Sequence, residues 1–231
     1  MSLLHVARVR RLVAPFLMCE VPGAGPRFAL TFDDGPSPRN TPALLDVLER
    51  HGARATFFMM TGRARRDPGL VRRAVDAGHE IGVHGGVHVP GWSLPRPLFD
   101  RDLAAAIATV TAVAGRRPSH YRAPFGLLFP AQVGWARAQG VTAVLGSIYP
   151  RDHAARSPVE IVERVLPRLV PGSIVILHDS SALGDFRRSA TVSAVDAILA
   201  AAAERGLQST TVQAMVERAS PPDTVASGRE R

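Results

Sequence analysis

Acidic, histidine and arginine residues gather at the ends of apolar segments along this chain. Asp33 and Asp34 follow Phe28-Ala29-Leu30 within Thr31-Phe32-Asp33-Asp34-Gly35-Pro36, and His84 and His88 follow Ile81-Gly82-Val83. Arg122, after Tyr121, opens Arg122-Ala123-Pro124-Phe125-Gly126, and His178-Asp179 closes Ile174-Val175-Ile176-Leu177. One carboxylate and two neutral imidazoles suit a divalent metal with an open coordination position, which leaves a second carboxylate and a third histidine for proton transfer. Neighbouring side chains on an extended chain point in different directions, so Asp33 and Asp34 can divide the work between metal and water. The combination reads as a metal-dependent hydrolase. Each signal alone has a plainer reading: Asp-Gly-Pro is an ordinary turn, and two histidines flanking Gly85-Gly86 can be unrelated surface residues on a loop. His5, His51, His79 and His120 are read as structural or solvated.

If the apolar runs are parallel strands, their carboxyl ends meet at one rim, where α/β folds build sites. Strand signals occur at 27–32, 55–60, 80–84, 120–123, 141–146, 173–178 and 208–212. Helix signals lie between them. Thr41-Pro42 opens one that stops at Gly52, and Asp67-Pro68 caps another that stops at Gly78. Further helices are expected over about 97–114, 130–139, from Ser157 to about Val170, and 188–205; Ser157-Pro158-Val159-Glu160 has the capping-box pattern. About seven strands alternating with helices predict a parallel α/β barrel or open sheet. Residues 1–26 are expected to form an N-terminal arm, 27–218 a single catalytic domain and 219–231 a disordered tail.

The chain has 231 residues, 46% of them hydrophobic, enough to bury one core. All 28 basic residues are arginine, so Schiff-base lysine and P-loop lysine chemistry are excluded. The net charge of +8 is spread along the chain and aromatics make up only 6%, which favours a solvated basic surface over nucleic-acid binding. Attraction to an anionic wall polymer or membrane face is the other use of that charge. Cys19 stands alone, so no intrachain disulfide is available. No apolar stretch has the length of a transmembrane segment. Between Arg8 and Cys19, basic residues precede a short apolar run broken by Pro15, with no small-residue cleavage site after it. A cytoplasmic location is therefore expected over export, with cell-envelope association as the alternative.

The ordered set TFDDGP, H-x-x-x-H, R-A-P-F-G and I-L-H-D resembles the polysaccharide deacetylase family of carbohydrate esterases, over about residues 27–212. The resemblance implies a distorted, incomplete (β/α) barrel with about seven parallel strands. It implies a divalent metal, most often zinc and sometimes cobalt, on Asp34, His84 and His88. Asp33 resembles the general base, Arg122 the residue that holds it, and the Phe125 N–H the oxyanion donor. His178 resembles the general acid, Asp152 the carboxylate that orients it, and Ile176 a wall of the acetyl-methyl pocket. The substrate implied is an N-acetylated glycan. Tyr149 and His153 stand in the substrate groove where the family commonly has aspartate and tryptophan, and Gly85 stands where it has serine or threonine. An O-acetyl ester hydrolase and a non-catalytic carbohydrate-binding relative are the alternatives; the intact acid, base and ligand set argues against the second.

Overall fold

The structure is a computed structural model that describes residues 17–126, 128–181, 184, 186 and 188–219. Seven parallel strands form a curled half-barrel: β1 (Arg27–Asp33), β2 (Ala55–Met59), β3 (Glu80–Val83), β4 (His120–Tyr121), β5 (Thr142–Ala143), β6 (Ile174–His178) and β7 (Gln208–Ser209). Their order is β5-β4-β3-β2-β1-β6, with β7 also paired to β1. The helices are α1 (Thr41–Arg50), α2 (Thr61–Arg66), α3 (Pro68–Asp76), α4 (Arg96–Ala114), α5 (Pro130–Ala138), α6 (Pro158–Val165), α7 (Ser189–Glu204) and α8 (Val212–Ala219).

Side chains alternate along each strand, and the alternation sorts the core into two layers. Phe28, Leu30 and Phe32 of β1, Phe57 and Met59 of β2, and Val175 and Leu177 of β6 join the large cluster under the helices. Ala29, Phe58 and Ile174 belong to the smaller cluster inside the barrel, which α8 closes from below with Val212 and Met215. Continuing the inward series in steps of two residues, through Thr31 and Ile176, reaches Asp33 on β1 and His178 on β6, which are register partners. The same step carries β3 from Gly82 to His84. A residue on every second position thus delivers the polar rim. Gly82 has no side chain because a Cβ there would meet the Phe58 ring at 2.6 Å.

The expected strand at 141–146 is regular only over Thr142–Ala143. Gly146, at φ 128°, bends the chain so that Ile148 pairs with Val175 of β6 and narrows the gap between the sheet's ends. Met18 bridges to Val144 and Glu20 to Ser173, so residues 17–26 run along the same gap, with Leu17 and Cys19 in the core. Residues 1–16 of the expected arm and 220–231 of the expected tail lie outside the described residues, as does His5. Asp67 precedes α3 but its side chain makes no capping hydrogen bond. Ser157 does cap α6, accepting from the Glu160 N–H at 3.3 Å. The Glu160 carboxylate reaches one residue further back than a capping box requires, to the Arg156 N–H. No described helix is long and apolar enough to cross a membrane.

Candidate active site

Two aspartates and two histidines meet where β1 and β3 end. Asp34 leaves β1 at φ 75°, an uncommon conformation for a residue with a side chain, and this turns its carboxylate away from that of Asp33. Asp34 Oδ1 lies 3.1 Å from His88 Nε2 and 3.5 Å from His84 Nε2. One ligand atom from each of the three residues falls within 4.8 Å of the others. His84 Nδ1 is 2.8 Å from the Arg122 carbonyl oxygen, which can only accept. The proton must therefore sit on Nδ1, and the Nε2 lone pair faces Asp34. Oδ1 is buried and has no hydrogen bond among the described residues. Lone pairs converging on a buried, unsatisfied oxygen are what a bound cation resolves, so these residues fit a divalent metal.

The loop carrying the histidines is held by residues that the sequence reading passed over. Thr61 donates to the Gly85 carbonyl through both its hydroxyl (3.0 Å) and its backbone N–H (3.1 Å). Asp102 of α4 accepts from the Gly86 N–H at 3.1 Å. Gly85 sits at φ 95°, where a serine or threonine would be strained, and Thr61 supplies a hydroxyl from the neighbouring element.

Arg122 is 1% exposed. Its Nη1 donates to Asp33 Oδ1 and Thr31 Oγ1, both at 2.7 Å, and its guanidinium lies 4.2 Å over the Phe58 ring. Burial disfavours the arginine's charge and Asp33 opposes that loss. Across the barrel, His178 Nδ1 is 2.7 Å from Asp152 Oδ1. Asp152 Oδ2 accepts from the His178 N–H and from Thr191 Oγ1, both at 3.0 Å. Burial disfavours the imidazolium, but Asp152, helped by Asp33 and Asp34, pushes His178 up to about 9. Asp152, His153 and His178 also bring three potential ligand atoms together. Both Asp152 oxygens are already engaged, so this group reads as a positioned histidine.

Ile176 is buried two residues before His178, on the same inward face. Tyr149 and His153 form a stacked pair, their polar atoms 3.3 Å apart, beside the His178 ring. Phe125, at φ 62°, is 63% exposed and its ring lies 4.9 Å from that of His88. The residues given ligand, acid–base, oxyanion or groove roles in the sequence analysis therefore stand at this one rim. Asp179, quoted in the sequence motif without a role, is fully buried, and its carboxylate fills the space where a Cβ on Gly35 would lie. Burial, with the charges of Asp34 and Asp33, pushes its carboxyl up to about 7 against a hydrogen bond from Thr41.

Residues 20–144 match the model of the polysaccharide deacetylase family. The chain belongs to that family. It is 38% identical to a chitooligosaccharide deacetylase of Bradyrhizobium sp. (strain ANU 289), over 78% of this chain and 85% of that protein. A peptidoglycan-N-acetylglucosamine deacetylase of Bacillus cereus is 34% identical over 87% of this chain and 93% of its own. Among solved structures, the Bc1960 peptidoglycan N-acetylglucosamine deacetylase superposes with a TM-score of 0.82 at 29% identity, covering 87% and 93% of the two chains. Polysaccharide deacetylases of this type are metal-dependent, and the Asp34, His84 and His88 cluster has the composition such a site needs.

Proposed function

We propose that this chain is a metal-dependent hydrolase that removes N-acetyl groups from glucosamine residues of a glycan. The observation that carries the reading is the union, on one rim, of a three-ligand cluster with a carboxylate held by a buried arginine and a histidine held by a buried carboxylate. Asp34, His84 and His88 would hold a divalent cation, zinc or cobalt, which would supply Lewis acidity toward the acetyl carbonyl and acidify water. Asp33 is the general base. Arg122 engages its Oδ1, which fixes the carboxylate plane and leaves Oδ2 to take the proton from water. The Phe125 N–H stabilises the developing oxyanion, while Ile176 bounds the space for the acetyl methyl.

An amine leaves only once protonated. His178 supplies that proton from Nε2, since Nδ1 is committed to Asp152, and its raised value keeps it protonated at neutral pH. Asp152 fixes ring orientation and stabilises the imidazolium, the part an aspartate plays in a catalytic triad. Sugar rings have apolar faces, and exposed aromatics stand ready for them: Phe125, and Trp92 on the turn Gly91–Ser93 that packs against Pro124–Gly126. Tyr149 and His153 line the groove on the His178 side. Acetate release from N-acetylglucosamine oligomers and from peptidoglycan fragments, with O-acetylated glycans as controls, tests the reading. Release from the N-acetylated glycans only with added zinc or cobalt is expected. Release confined to the O-acetyl esters would overturn it.

A further inference from the structure

A basic pocket adjoins the metal ligands, and the chemistry above leaves its charge unused. Met60, Gly62, Arg63, Arg66, Gly86 and His88 line a space of about 180 Å³. Arg66 is exposed, and among the described residues it makes no hydrogen bond or ion pair. Arg63 is pinned beside it, donating to Ser180 Oγ and, at 2.7 Å, to the Ser181 carbonyl. Neither guanidinium pairs with a carboxylate among the described residues. Arg63 feels the charge of the buried Asp179 without pairing with it, and the Asp102 carboxylate accepts from the Gly86 N–H. Two guanidinium groups therefore face this space with no ion pair to a carboxylate among the described residues. His88 lines both this pocket and the ligand cluster, so a group seated in the pocket lies next to the acetamido group under attack.

We propose that Arg63 and Arg66 form a subsite for a carboxylate on the sugar adjoining the one deacetylated, making acid-bearing glycans the preferred substrates over neutral ones. The inference rests on the glycan deacetylase reading and extends it to substrate choice. A planar guanidinium matches a carboxylate through paired N–H donors, and Arg66, which has no partner among the described residues, has those donors to offer.

The test compares kcat/KM on three glycans of equal length: a neutral N-acetylglucosamine oligomer, a peptide-free peptidoglycan strand whose alternate sugars carry a lactyl carboxylate, and that strand with its carboxylates reduced to alcohols. Wild type is expected to favour the carboxylated strand over its reduced form by about tenfold, as one charge-assisted contact supplies, and less at high salt. Arg66→Ala should bring that ratio to about one, and Arg66→Glu below one. A ratio unmoved by either variant, or equal losses on all three glycans, would overturn the subsite. Should wild type release no acetate from any of them, the deacetylase reading fails. The subsite is then read from equilibrium binding of the carboxylated and reduced strands to wild type and Arg66→Glu: a carboxylate-dependent affinity lost in the variant supports it, and equal affinities overturn it.

Discussion

Two acid–histidine pairs are buried in this barrel, one at each end. At the lower end, Glu80 and His120 are 6% and 2% exposed. One Glu80 oxygen meets His120 Nδ1, and the other accepts from Thr56 Oγ1 at 2.8 Å and the Gln213 N–H at 3.0 Å. At the rim, Asp152 is equally well satisfied, yet its partner His178 keeps a side chain that is 15% exposed. The residue types are the same. What differs is what remains unmet: the lower pair is buried with both Glu80 oxygens engaged, whereas the rim has a ring nitrogen facing a groove and, at Asp34 Oδ1, a buried oxygen lacking a hydrogen bond among the described residues. A buried carboxylate beside an imidazole is thus no mark of catalysis by itself. Unfilled valence at an accessible surface is.

The contrast can be broken at its strongest point by Asp33→Asn. The variant is expected to keep the metal, measured by elemental analysis, and to lose about 10²–10⁴ in rate. Near-wild-type turnover would move the base elsewhere. His178→Ala should cost about 10²–10⁴ on an N-acetyl substrate and distinctly less on an activated acetyl ester, because an alkoxide needs less help to leave. Asp152→Asn should cost less than His178→Ala on the same amide, and NMR titration of metal-free protein should show His178 falling from about 9 toward its ordinary value. The sign follows from a raised folded value: the stability His178 contributes is complete below about pH 6.5, its unfolded value, and is lost as pH rises through about 9. Equal losses on amide and ester would make His178 a structural residue.

The lower pair should respond in the opposite way. Glu80→Gln leaves a buried network half-satisfied and is expected to cost about 3–5 kcal/mol of stability in denaturant unfolding. kcat/KM of the folded protein should stay within about threefold. A large loss of turnover with unchanged stability would tie that end of the barrel to the chemistry. The smallest effect is expected at Asp179. A carboxyl raised on folding costs stability once pH exceeds its unfolded value near 3.8, and the cost grows until pH passes about 7. Asp179→Asn should therefore melt near wild type at about pH 4 and above it at about pH 8. A pH-independent difference would show that its carboxyl titrates normally.

The strands were legible because apolar runs ending in functional residues report the rim directly, and β1, β2, β3 and β6 lie within a residue or two of their expected positions. Two short helices were not. α2 follows β2 at once and carries Gly and three arginines, and α8 carries its apolar residues Val212 and Met215 on one side of a short polar segment. Tertiary contact, not local pattern, gives both their place. The proposed ligands, base and acid could be named because each motif holds the residue concerned. Their supports could not. Thr61, Asp102 and Thr191 act from other elements, and nothing in the local spacing of a threonine or aspartate shows which loop or histidine it will hold. Burial of His79 and His120, both read as structural or solvated, agrees with a structural use: His79 Nδ1 accepts from the Ala55 N–H, and burial, with Arg54 nearby, lowers it to about 4.

The central claim is that Asp34, His84 and His88 hold the metal on which turnover depends. The direct measurement is titration of stripped protein with zinc or cobalt, following bound metal and acetate release from an N-acetylglucosamine oligomer together. Wild type should bind about one equivalent with activity rising in proportion, as three-ligand catalytic sites do, and Asp34→Ala and His88→Ala should lose both. Acetate release that persists in stripped protein, or full metal occupancy in a His84→Ala/His88→Ala double variant, would contradict it.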